Sequence, residues 1–190
     1  MKRCHWVDPN NPLYVEYHDY EWGIPEHNDH KLFEMLVLES FQAGLSWECV
    51  LNKREAFRSA FDGFDVWKVS AYNEEKIDAL CADKSIIRNR QKICAAVNNA
   101  QRFLEIQEEC GSFDSYVWNF ARKHLQLSTA APEPLICEND VTTSALSDAL
   151  SKDLQKRGMK FVGSTIVYSF IQAIGIVNSH EDECEFHNKM

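Results

Sequence analysis

Apolar residues recur along this chain mostly at the spacing of helices, and that period constrains the fold more than any other feature. No pair of alternating apolar and polar runs joined by an Asn-Gly or Asp-Gly turn occurs, so the expected fold is all-α. In residues 29–39, Leu32, Phe33, Leu36 and Leu38 or Glu39 follow at i, i+3, i+4 intervals behind Asn28 and Asp29, two candidate caps. A second helix is expected after Gly44, with Val50, Leu51, Phe57 and Phe61 on one buried face. Asn73 with Glu74 and Glu75 opens a short helix, because a cap and first-turn acids suit the helix dipole. Residues 86–107, 112–123 and 144–157 read as further helices, whereas 128–143, with Pro132 and Pro134, reads as a loop and the only internal linker candidate.

The chain has 190 residues, 45% hydrophobic and 26% charged, which suits one domain over residues 1–190 and excludes collagenous, coiled-coil and wholly disordered classes. No run approaches the ~18 apolar residues of a membrane span. The start, MKRCHWVDPNN, lacks the apolar stretch of a signal peptide, so a cytoplasmic protein with no membrane partner is expected. A net charge of −9 disfavours an extended nucleic-acid surface. Locally the sign reverses. Residues 84–104 hold Lys84, Arg88, Arg90, Lys92 and Arg102 with no acid, and 152–160 hold Lys152, Lys156, Arg157 and Lys160 against Asp153 alone. These segments are either a basic footprint or two solvated helix faces. Seven cysteines, an odd number scattered through the chain, argue against a disulfide framework and for thiols or metal ligands. Cys49, Cys81 and Cys94 sit among apolar helical residues and read as core.

Three constellations carry chemistry. In KRGMKFVGSTIVYSFIQAIG one helix ends at Gly158, a turn closes at Gly163, and another helix starts at Ser164 and Thr165, a helix-hairpin-helix pattern. The N–H groups of Gly163, Ser164 and Thr165 at that helix start suit a phosphate oxygen, with Lys156, Arg157 and Lys160 supplying charge; any glycine-capped helix pair gives the same pattern. At the chain ends, Cys4 and His18 with His180 and Cys184 are the complement of a closed tetrahedral zinc site, although His5, His27, His30 and His187 offer substitutes. Finally, Tyr14, Tyr17, Trp22 and Trp47 supply flat aromatic surfaces near Glu39, a carboxylate that the helical pattern places on or beside a buried face.

Read in order, RCHWV, NPLYVEYHDYEWGIP, LFEMLVLESFQAGLSW, SIIRNRQKI, SDALSKDLQKRGMKFVGSTIVYSF and VNSH with Cys184 resemble the blocks of the DNA-3-methyladenine glycosylase I family, constitutive alkylation-repair enzymes of the helix-hairpin-helix superfamily. The resemblance runs nearly end to end. It implies a single all-α glycosylase domain whose termini, residues 1–28 and 176–190, are joined by one structural zinc on Cys4, His18, His180 and Cys184. A closed shell of that kind leaves no open position for water. It further implies that Glu39, the candidate catalytic residue, and Tyr17 hydrogen-bond a flipped base while Trp47 and Trp6 stack on it, with Tyr14 and Trp22 in the same pocket. Leu45 matches a plug for the vacated base stack, and Gly163, Ser164 and Thr165, with Lys160 beside them, match the hairpin that holds the DNA backbone.

The implied activity is hydrolysis of the N-glycosidic bond of 3-methyladenine in alkylated double-stranded DNA, in base excision repair. Methylation at N3 puts positive charge on the base and makes it a good leaving group, so recognition of the cation can carry selectivity. The catalytic aspartate of other superfamily members falls here in the acidic run Glu181 to Glu185, which is not read as catalytic. Residues 164–168 are Ser, Thr, Ile, Val and Tyr, without the lysine of bifunctional relatives, so a monofunctional enzyme acting as a monomer is expected. Ser85 and Gln91 replace glycines of the family block, which bears on the local turn and not on the pocket. Two alternatives stay open: a zinc-stabilised module that binds distorted DNA without cutting, and a metallohydrolase in which one of the four ligands is missing or mobile.

Overall fold

The computed structural model describes residues 1–139 and 141–187. Its helices begin where side chains satisfy the free N–H groups of the first turn. Helix α1 (Pro12–Tyr20) starts with Pro12 behind Asn11, which accepts from the Tyr14 N–H, and α2 (Asp29–Gln42) starts behind Asn28, which accepts from the N–H groups of His30 and Lys31. After Gly44 the single expected helix is two, α3 (Trp47–Leu51) and α4 (Arg54–Ala60), separated at Asn52 and Lys53. Val50, Leu51, Phe57 and Phe61 are nonetheless all buried, and the break lets Phe57 and Phe61 close on Phe41 with ring centroids 4.7 and 6.0 Å away.

A tight turn at Asp62–Phe64 leads into α5 (Val66–Ser70), and Asn73 caps α6 (Glu74–Ala82) as its sequence predicts. Helix α7 (Arg90–Cys110) starts later than residue 86 because Asn89 accepts from the Lys92 N–H and so sets the boundary. Then come α8 (Phe113–His124), α9 (Ala145–Lys156) and α10 (Ser164–Ala173).

Two further readings need correction. The segment 128–143 is not wholly loop: β1 (Ile136–Cys137) pairs in parallel with β2 (Val177–Asn178), so a mostly helical fold carries one two-residue strand pair. Two residues are too few for an alternating pattern to register, and the pairing depends on where the C-terminal segment lands. Cys49, Cys81 and Cys94 are half-buried, not fully interior, and of these only Cys81 and Cys94 pack against the core.

Helix α2 is the centre of the packing. Every residue from Leu32 to Phe41 is buried, and the helix packs on α3, α7, α8 and α10. The segment after α10 returns across the chain's beginning: the Glu26 N–H donates to the Ile174 carbonyl at 3.1 Å, and Gly175, at φ +75°, lies so close that an added Cβ would sit 2.4 Å from Ile24 C and Pro25 N. Both the backbone conformation and the space demand glycine. Gly175→Ala should therefore lower stability by about 2–5 kcal/mol, the sum of αL strain and overpacking. Thermal melts of the variant measure this, and a melting temperature within a degree or two of wild type would contradict the close approach.

Candidate functional site

Helix α2 buries two glutamates whose surroundings differ sharply. Glu34 is answered by the guanidinium groups of Arg54 and Arg58, the latter donating from Nε at 2.9 Å. Glu39 has no cation: it is 2% exposed, and its Oε2 has no hydrogen-bond partner among the described residues. Burial pushes its carboxyl well above the ordinary glutamate range. A buried acid without a partner is costly unless something else completes it.

The completing space is adjacent. Glu39 lines a cavity of about 240 Å³ together with Trp6, Tyr14, Tyr17, Trp22 and Trp47. Tyr14 and Tyr17 stand on the same face of α1, and Trp47 is the first residue of α3, placed by the Ser46 cap. The rings brace one another, Tyr17 against Trp47 at 5.2 Å and Trp6 against Trp22 at 4.8 Å between centroids. The Trp47 indole N–H and the Gln42 Oε1 are also buried without partners among the described residues. Donor, acceptors and flat electron-rich faces thus converge on one volume, an arrangement that suits a planar cationic ring bearing an amine. The structure brings together all six residues that the sequence nominates. It adds a polar side made by Gln42, Asn139, Gln172 and Ser179. Gln42 was detectable as the residue one turn beyond Glu39; the others come from remote segments with no shared pattern.

The chain ends meet beside this cavity. Ligand atoms of Cys4, His18 and Cys184 lie within 4.8 Å of one another, all three residues buried. Asp19, which sequence reasoning overlooked, fixes the first imidazole: its carboxylate lies 2.8 Å from His18 Nδ1 and is held in turn by Arg3 Nε at 2.7 Å. That leaves His18 Nε2 facing Cys184 Sγ at 3.6 Å. His180 is outside the close trio. Its ring nevertheless approaches His18 at 5.1 Å, its Nδ1 lies 3.0 Å from Asn178 Oδ1, and its Nε2 is buried with no partner among the described residues.

Burial pushes the Cys4 thiol up to about 12 and the His180 imidazole down to about 4, so the imidazoles are neutral and ready to ligate, whereas two thiolates there need a cation. The orphaned His180 nitrogen and the paired thiols fit a metal ion. Trp6 and Trp22 touch both constellations, Trp6 against His18 at 5.3 Å and Trp22 against His180 at 4.6 Å.

At the start of α10, the helix that also supplies Gln172 to the cavity, Gly163 forms the cap without a side-chain hydrogen bond, leaving first-turn N–H groups open. Gly163 and Thr165 are exposed, while Ser164 Oγ reaches Ser147 Oγ at 2.9 Å. The preceding turn is anchored on α7 by Asn99, which accepts from the Lys160 N–H and donates to the Lys160 carbonyl, both at 2.8 Å. The Lys160 side chain is exposed, and so is Leu45, on the turn after α2. The basic segments divide. Arg90, Arg102 and Arg157 are paired with acids, whereas Lys84, Arg88, Lys152, Lys156 and Lys160 have no ion pair among the described residues.

A family model for methyladenine glycosylase matches residues 6–188. The chain belongs to the methyladenine glycosylase family. It is 50% identical over 184 residues to DNA-3-methyladenine glycosylase 1 of Escherichia coli K12, covering 97% of this chain and 96% of that protein. A crystal structure of a 3-methyladenine DNA glycosylase I superposes with a TM-score of 0.88 at 44% identity, over 97% of this chain and 98% of the other. A 3-methyladenine DNA glycosylase I from Staphylococcus aureus, whose structure describes recognition of 3-methyladenine, has a TM-score of 0.88 at 34% identity, over 100% of this chain and 98% of its own.

Within a methyladenine glycosylase fold, Glu39 imposes a stability cost with a definite pH dependence. Its carboxyl pKa rises on folding, so the folded protein keeps a proton that the unfolded chain releases. Stability therefore falls as pH climbs above the ordinary glutamate value of about 4.3. Glu39→Gln, whose amide stays neutral at every pH, should melt at a higher temperature than wild type near neutral pH and converge with it below about pH 4. Melting curves of both proteins across that range test this. Identical curves at every pH would mean that Glu39 is compensated.

Proposed function

We propose that the chain is a monofunctional DNA glycosylase of base excision repair, hydrolysing the N-glycosidic bond of 3-methyladenine in alkylated double-stranded DNA. The observation that carries this reading is the unpaired, buried Glu39 opening onto an aromatic cavity. The names of the family's relatives agree with it. The damaged nucleotide is flipped from the stack, with Leu45 filling the gap it leaves. The carboxyl of Glu39 takes the exocyclic amine of the base, Tyr17 adds a hydrogen bond, and Trp47 and Trp6 hold the ring, with Tyr14 and Trp22 closing the walls. Normal adenine lacks the positive charge that indole faces and a carboxylate favour, and it stays stacked. Water attacks C1′ of the sugar, the bond from C1′ to N9 breaks, and its electron pair neutralises the methylated ring. The water's proton goes to solvent.

Gly163, Ser164 and Thr165 form the helix-hairpin-helix contact to the phosphate backbone, with Lys160 beside it. Cys4, His18, His180 and Cys184 would hold one zinc ion that ties the termini of a single domain spanning residues 1–190, supplying structure and no chemistry at the sugar. No described helix is long and apolar enough to cross a membrane. The enzyme works as a cytoplasmic monomer, where the DNA is, and needs no protein partner.

Incubation with methylated duplex DNA should release 3-methyladenine, identified by chromatography, and leave intact abasic sites; a protein–DNA adduct trapped by borohydride would refute the monofunctional mechanism. Trp47→Ala should weaken binding of the free base by about 1–3 kcal/mol, the scale of base–aromatic stacking. Glu39→Gln should lose base affinity more than turnover in single-turnover kinetics, and unchanged affinity would misplace the pocket. For the metal, each alanine variant of Cys4, His18, His180 and Cys184 should lose zinc and melt at lower temperature. Wild-type zinc content in any one of them removes that residue from the set.

A further inference from the structure

Lys92 is the one lysine of this molecule that lies buried among the described residues, at 7% exposed, and it meets no carboxylate there. It stands in the first turn of α7, where the helix dipole disfavours a cation, and burial pushes its ammonium pKa down. Two costs of that kind call for a compensating contact. Its Nζ donates to the carbonyls of Phe41 at 2.8 Å and Ala43 at 2.6 Å. Those are carbonyls at the C-terminus of α2, a helix with no basic residue in its own last turn, whose cap, Ala43, leaves the helical conformation at φ −46° and ψ 113°. A lysine on one helix thus closes the negative end of another.

The segment so closed is the one that the proposed reaction uses. Glu39 lies one turn before Ala43, Gln42 lines the cavity, and the chain then turns through Gly44, at φ +77°, to expose Leu45 at 42%. Within that turn the Leu45 N–H donates to the Gln42 carbonyl at 2.6 Å, so carbonyls on both sides of Gln42 are pinned by Lys92 while Gln42 itself pins Leu45. A Cβ on Gly44 would meet nothing within 4 Å, so no side chain from elsewhere in the chain fills that side of the turn. One backbone hydrogen bond, from Leu45 to Gln42, and two from the Lys92 side chain to backbone carbonyls thus hold the turn from which Leu45 projects.

We propose that Lys92 is a positioning residue that preorganises the turn carrying Leu45, so that insertion into the DNA stack proceeds from a turn already in place. The inference rests on the glycosylase reading and on Leu45 as the plug. Lys92→Met keeps the length of the side chain and removes its donors. It should slow single-turnover excision from methylated duplex at least tenfold while leaving affinity for free 3-methyladenine within twofold. Leu45→Ala should do the same, and the double variant should be no slower than the slower single variant by more than twofold, because both act through one turn. Lys92→Arg, which keeps donors for both carbonyls, should recover most of the rate. A parallel loss of base affinity, multiplicative losses in the double variant, or unchanged excision would each overturn the assignment. If Lys92→Met fails to fold, Lys92→Leu, which also removes the donors, enters the same cycle with the same expected outcomes. Failure of the wild-type protein to bind the free base or to release 3-methyladenine from methylated duplex would instead strike the glycosylase reading.

Discussion

Helix α2 has no solvent face over Leu32 to Phe41, so every polar group it carries has to be answered inside the protein. Arg54 and Arg58 answer Glu34. The Ser40 hydroxyl donates back to the Leu36 carbonyl at 2.8 Å, and Lys92 takes carbonyls at the helix's C-terminal end. Glu39 is left over. A core that satisfies its other buried charges and leaves this one facing a cavity gives that cavity a definite chemistry, a carboxyl with aromatic walls, and the functional reading follows from that contrast more than from any single motif.

The two ends of the chain contribute to the same place. Residues near the start supply Trp6, Tyr14, Tyr17 and Trp22 to the cavity, and residues near the end supply Ser179 and Glu181. Between them lies the cluster of Cys4, His18 and Cys184, with His180 beside it, and Trp6 and Trp22 form a shared wall. Gly175 against Ile24 and Pro25 and the β1–β2 pair fasten the returning segment at two points. Closing distant ends constrains a long loop, so contacts made there stabilise the pocket walls without touching a ligand.

Short-range order was legible because it is written locally. Caps at Asn28 and Asn73 and the apolar face of residues 29–39 report backbone satisfaction and helical period, both confined to a few neighbouring residues. The aromatic residues around Glu39 were legible as a group through family resemblance and as a burial conflict through Glu39 itself, and the structure assembles them all. The break between α3 and α4 was not. A helical period continues across Asn52 and Lys53, and the break appears only when Phe57 and Phe61 must reach Phe41.

By itself, then, the sequence determined a helical chain, the caps at Asn28 and Asn73, and the aromatic, carboxylate, thiol and imidazole residues that meet in the cavity and beside it. Tertiary structure alone decided which buried charge is paired, since Glu34 and Glu39 read alike in the sequence and differ only by the arrival of Arg54 and Arg58 from α4. It also decided that Lys92 serves α2 rather than the surface, that Asp19 orients His18, and that Asn139, Gln172 and Ser179 share a wall with Glu39. The physical reason is the same in each case. Helical period and capping are satisfied within a turn, whereas the partner of a buried charge or imidazole is a residue brought there by the packing of other helices.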